Sequence, residues 1–161
     1  MFLQQLINGL SLGSIYALIA LGYTMVYGII KLINFAHGDI YMLGAYIGYL
    51  VITYSGLGFL PALLIVMISC ALIGILIEKI AYKPLRNATR IAALITAIGV
   101  SFFLQYSTMY LMSPNVRTFP TIFANSIFMV GKIRISLQQL IIFSTTITLM
   151  LILQFIVKKT K

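Results

Sequence analysis

The chain has 161 residues, 61% of them hydrophobic and 8% charged, with a mean hydropathy of +1.09. A soluble domain carries about 25% charged residues, so this composition excludes a water-solvated surface and points to an all-α, polytopic integral membrane protein whose solvent is lipid. The net charge of +9 comes from 11 Lys and Arg against 2 acids; the basic residues fall between apolar runs, so they read as topology signals and contacts to anionic lipid, not as a nucleic-acid surface.

The first apolar run covers residues 6–30. No Lys or Arg precedes Lys31, so the charged start of a signal peptide is missing and the run is expected to stay as a span. Gly9, Gly13, Ala17 and Ala20 share one helical face. Small residues let membrane helices approach closely, so this face predicts tight helix packing or a partner protomer.

A polar break follows at residues 31–39, reading KLINFAHGD, and the second run covers residues 40–54, with Gly44 and Gly48 on one packing face. Fifteen helical residues span about 22 Å against roughly 30 Å of hydrocarbon. The shortfall predicts a break that dips into the membrane, where irregular backbone is tolerated only beside protein or a wet cavity and commonly lines a transport path. Within the break Asp39 reads as a helix N-cap, a path-lining group, or both. Gly38 reads as the residue that supplies an unusual backbone angle. His37 reads as a hydrogen-bond partner of a nearby carbonyl or as part of the path.

The turn at 55–58 leads to Pro61, which suits the first turn of a third span ending near Ile80. Cys70, the single cysteine, reads there as a small buried hydrophobe. Glu78 and Lys79 close this span as snorkelling groups. A basic loop, YKPLRNATR, carries Lys83, Arg86 and Arg90, and suits lipid anchoring or contact with a cytoplasmic partner. The fourth span covers residues 91–112, and Tyr106, Tyr110 and Phe119 read as interfacial aromatics. In the connection that follows, Lys132 to Ile135 alternates polar and apolar, which fits a short strand or hairpin and equally an irregular loop. The fifth span covers residues 137–157, ahead of Lys158, Lys159 and Lys161. One His and two acids offer no nucleophile–base set, so no enzyme is expected, and no metal-ligand cluster is visible.

Five crossings with the N-terminus outside place Lys31, Lys79, Lys83, Arg86, Arg90, Lys158, Lys159 and Lys161 in the cytoplasm and Arg117, Lys132 and Arg134 outside. That distribution obeys the positive-inside rule, and the opposite one violates it. A re-entrant second segment would flip everything after it.

The stretch INGLSLGSIYALIALGYTMVYGIIKLINFAHGDIYMLGAY, Ile7 to Tyr46, strongly resembles the permease subunit of branched-chain amino acid ABC importers of the LivH type. IEKIAYKPLRNATRIAALITAIGVSFFLQ, Ile77 to Gln105, extends the resemblance. It implies one membrane-spanning permease domain over 1–161, in a bacterial or archaeal plasma membrane, that forms part of a path for leucine, isoleucine and valine. It implies a second related permease, two cytoplasmic ATPases that consume the ATP, an outer substrate-binding protein and membrane lipid as partners. No cofactor is implied in this chain. By analogy with the helix break of related sugar permeases, a path-lining role is carried onto Asn34, His37, Gly38 and Asp39. Family members run to nearly twice this length, so the chain is expected to be the N-terminal half, lacking the ATPase-coupling region. Two other functions remain open: a non-transporting protein that assembles with an intact permease, and a small ion-coupled carrier.

Overall fold

The computed structural model describes residues 2–30, 34–85, 88–120, 127–130 and 133–159. In chain order they form α1 (Phe2–Ile30), α2 (His37–Ser55), α3 (Phe59–Ile77), α4 (Arg90–Met112), β1 (Ile127–Val130), β2 (Ile133–Ser136) and α5 (Leu137–Lys159). The five α-helices coincide with the five apolar runs. Among the described residues four stretches are long and apolar enough to cross a membrane: Phe2–Gly28, Phe59–Leu85, Ile91–Met112 and Leu137–Ile156. The most apolar windows of the first, second and fourth are only 6% buried, and that of the third 17%. Their side chains therefore face outward, as they do where lipid replaces water.

α2 falls outside that group. Its 19 residues reach about 28 Å, nearly the hydrocarbon thickness. His37, Asp39 and four tyrosines (Tyr41, Tyr46, Tyr49 and Tyr54) dilute its apolar character. The helix also starts earlier than residue 40. His37, Gly38 and Asp39 form its first turn, so the polar break is narrower than 31–39, and its described part is the turn at 34–36. Lys31 lies outside the described residues. α2 ends on Gly56, whose φ of +61° is the left-handed geometry that stops a helix and favours glycine.

Four hydroxyls within the helices are satisfied locally, while the buried Ser11 Oγ has no hydrogen-bond partner. Ser14, Thr108, Thr146 and Thr148 donate to the carbonyls four residues earlier at 2.7–2.9 Å. In a medium without water this removes the cost of an unpaired hydroxyl.

The chain falls into two compact units, Met1–Met25 with Phe123–Lys161, and Val26–Ile122. In the first, β1 and β2 form an antiparallel hairpin pairing Phe128 with Ile135 and Met129 with Arg134. The strand alternative is the one adopted, and Lys132 lies outside the described residues. Gln4 of α1 pairs with this hairpin through its amide: Nε2 donates to Arg134 O (2.9 Å) and Oε1 accepts from Arg134 N (2.8 Å). The side chain thus covers an open strand edge. α5 begins with a capping box, in which Ser136 Oγ accepts from Gln139 N and Gln139 Oε1 accepts from Ser136 N. Gln139 also donates to Asn8 Oδ1. A Cβ added at Gly9 or Gly13 would have nothing within 4 Å; with Thr146 and Met150 these glycines border an open groove of about 590 Å³.

In the second unit α2 lies against α3. A Cβ on Gly44 would stand 3.0 Å from Cys70 Sγ, and one on Gly48 3.4 Å from Val66. Both glycines are buried. Cys70 is partly exposed and contacts Ile40 O through its Sγ at 3.8 Å.

Candidate functional site

The segment Asn34–Asp39 is built by its own side chains. Asn34 Oδ1 accepts from Ala36 N (3.1 Å) and Asn34 O from His37 N (3.2 Å), a local turn that feeds the chain into α2. Ala36 occupies the N-cap position and makes no side-chain cap. Asp39 is therefore not the N-cap. It sits three residues into the helix, where a carboxylate still faces the positive helix end. Gly38 does not carry a left-handed angle; among the described glycines only Gly56 does. An ordinary helical turn already serves at that place.

Two long-range hydrogen bonds tie the segment down. Tyr82 Oη donates to Asn34 Oδ1 at 2.7 Å. Gln105 Nε2 donates to Asp39 Oδ1 at 2.9 Å and approaches Ser101 Oγ at 3.1 Å. Asp39 is 7% exposed, and its Oδ2 is buried with no hydrogen-bond partner.

The reach of Tyr82 depends on local backbone. α3 widens at its end into a π turn over Glu78–Tyr82, in which Lys83 N donates to Glu78 O, and then tightens into a 3-10 turn over Lys83–Leu85. One extra residue in a turn rotates all that follows by about 100° around the axis. That rotation accompanies burial of Tyr82, 8% exposed, against Asn34. Pro84 sits in the 3-10 turn, where the α-helical hydrogen bond it lacks is no longer required. Lys83 remains exposed, Arg86 lies outside the described residues, and Arg90 starts α4 one residue after the Thr89 N-cap, whose side chain accepts from Ala92 N.

A second cluster lies where the chain leaves α4. Ser113, at φ +65°, turns the backbone sharply, and Pro114 holds it extended. Residues 114–119 then run beside α2: Phe119 meets Tyr49 edge-on at 6.4 Å and approaches Gly48. The Arg117 guanidinium stacks over Tyr49 at 5.7 Å and donates to Met112 O at 2.9 Å, a cation at a helix C-terminus. A cavity of about 340 Å³ opens between these groups.

Sequence reasoning singles out Asn34, His37, Gly38 and Asp39 and misses Tyr82 and Gln105 as their partners. Gln105 is legible as a polar residue in an apolar run with Ser101 one turn before it. Nothing in the sequence pairs it with Asp39. From sequence, Arg117 reads only as an outer charge.

Long apolar helices with outward-facing side chains and a polar helix start tethered to two neighbours define a multi-pass helical membrane protein. The family described as "Branched-chain amino acid transport system / permease component" matches residues 5–161. The chain belongs to this family of membrane permeases. It is 41% identical over 173 aligned positions to the high-affinity branched-chain amino acid transport system permease protein BraD of Pseudomonas aeruginosa, covering 99% of this chain and 56% of that relative. It is 49% identical over 116 positions to the corresponding permease protein LivH of Salmonella typhimurium and of Escherichia coli, covering 65% of this chain and 36% of each relative. The chain thus spans about half the length of the first relative and about a third of the others. No solved structure matches it.

Proposed function

We propose that this chain forms part of the translocation path of an ABC importer for leucine, isoleucine and valine. The reading is carried by one observation: the NFAHGD and AYKPLR segments, which bear the family resemblance, meet through the Tyr82–Asn34 hydrogen bond. The path is bordered by the start of α2, with Asn34, His37, Gly38 and Asp39 along it. Asn34 and Asp39 act there by holding the start of α2 against α3 and α4. The positive end of α2 favours a passing carboxylate.

The partners of this reading are a second related permease, two cytoplasmic ATPases that hydrolyse ATP, and an outer substrate-binding protein. The chain lies in the plasma membrane of a bacterium or archaeon with its N-terminus outside and its C-terminus in the cytoplasm, the arrangement that keeps most Lys and Arg inside. This orientation requires α2 to cross, and its length of about 28 Å permits that.

Proteoliposomes holding the chain with its partner permease, both ATPases and the binding protein test the proposal. ATP-dependent, saturable uptake of labelled leucine, competed by isoleucine and valine, is the expected result. Uptake that needs only a pH gradient or membrane potential would replace the importer by an ion-coupled carrier. Co-purification with the permease and no uptake would replace it by an assembly role.

A further inference from the structure

From the cavity between α2 and the segment after α4, we infer that Arg117, Tyr49 and Phe119 form a binding site for a free aliphatic α-amino acid. The inference rests on the importer reading for its ligand class and adds a place and a set of contacts to it. The cavity holds about 340 Å³. That is the low end of the roughly 300–1,000 Å³ typical of small-molecule sites, a volume for one small solute.

The lining supplies what such a solute requires. Arg117 presents a planar guanidinium, of which one Nη is engaged by Met112 O and the face by Tyr49. Both contacts hold the side chain in place before a ligand arrives. A guanidinium held this way matches a carboxylate with paired N–H donors. The chain's acids are only two, Asp39 and Glu78, and Asp39 stands ten residues before Tyr49 on α2, about 15 Å along the helix axis. Tyr46 offers a ring face and the Asn115 amide oxygen an acceptor to a substrate ammonium. Phe119 and Ala45 offer an apolar wall to a branched aliphatic side chain.

The cavity sits beside the C-terminal end of α4, which the proposed orientation places outside, where substrate arrives. It is separate from the Asn34–Asp39 segment at the opposite end of α2. The site therefore acts as an outer receiving position. Its Arg117 orients the carboxylate, and the aromatic wall takes the side chain.

The test is equilibrium binding of tritiated leucine to the full chain in lipid nanodiscs, without ATPases, titrated into the millimolar range. Saturable binding is expected. Leucinamide, which lacks the carboxylate, and 4-methylpentanoate, which lacks the ammonium, should each compete at least tenfold more weakly than leucine. Arg117→Ala should weaken leucine binding at least tenfold, Arg117→Lys by a smaller factor, and Tyr49→Leu severalfold, with helical circular dichroism confirming each fold. The wild-type competition needs no variant and decides the matter even where Arg117→Ala fails to fold. No saturable binding, or equal competition by either analogue, overturns the inference. Tighter binding of a short acidic peptide than of leucine also overturns it, since the surface would then be a protein contact. Loss of ATP-driven uptake with intact Arg117-dependent binding removes the importer reading and leaves this site. Uptake present with leucine binding unchanged in Arg117→Ala removes the site and leaves the importer.

Discussion

The phenol of Tyr82 donates a 2.7 Å hydrogen bond to Oδ1 of Asn34, 48 residues earlier in the chain. The same oxygen closes the turn onto Ala36. One acceptor therefore holds both the local turn and the approach of α3. Tyr82→Phe should lower stability by about 1 kcal/mol, and Asn34→Leu by more, because it removes the turn as well. A double-mutant cycle in denaturant unfolding, read on detergent-solubilised protein, should return a coupling of about 0.5–1.5 kcal/mol. Additive single and double effects would show that the two side chains do not interact.

Gln105 and Asp39 make the converse case. Asp39 Oδ2 already lacks a partner, and Gln105 supplies the bond to Oδ1. Gln105→Leu leaves the buried carboxyl group without that bond and should cost about 1–3 kcal/mol. Asp39→Leu added to Gln105→Leu should recover part of that loss, because two apolar side chains leave no polar group unsatisfied. Thermal unfolding in nanodiscs checks the order: the single Gln105 variant must be the least stable of the pair.

The glycine faces should respond in opposite ways. A methyl at Gly44 meets Cys70 Sγ at 3.0 Å, so Gly44→Ala should destabilise by about 1–3 kcal/mol. Cys70→Ala in the same chain should relieve most of it. Gly9→Ala and Gly13→Ala meet nothing within 4 Å. They should be neutral or stabilising by up to about 1 kcal/mol, the gain in helix propensity over glycine. Unfolding midpoints of the four variants give the comparison directly.

Membrane topology has a direct readout. In a chain carrying Cys70→Ala, an impermeant thiol reagent applied to intact cells should label Leu57→Cys and Asn115→Cys. Lys158→Cys should react only after permeabilisation. Protection of Leu57→Cys in intact cells would mean that α2 does not cross.

The capping box at the start of α5 should also be measurable. Ser136→Ala removes one of its two reciprocal bonds and should cost about 1 kcal/mol. Amide exchange in the first turn of α5 should rise with it.

Hydropathy alone locates the helices, because in lipid a long apolar run leaves the backbone no alternative to satisfying its own hydrogen bonds. The residue pattern at 7–46 and 77–105 is enough to suggest the family. Apolar counting places the start of α2 three residues late, since it stops at His37–Asp39 while the Asn34 turn and the helix dipole carry the helix through them. Both glycine pairs share one spacing, yet Gly44 and Gly48 are buried against α3 and Gly9 and Gly13 border an open groove. Spacing records that a face is smooth; only packing decides whether another helix fills it. The bonds from Tyr82 to Asn34 and Gln105 to Asp39, and the seat of Arg117 on Tyr49, join residues 48, 66 and 68 positions apart. Periodicity reaches only along one helix, so such meetings are settled by how helices lie against each other and by local departures such as the π turn that precedes Lys83.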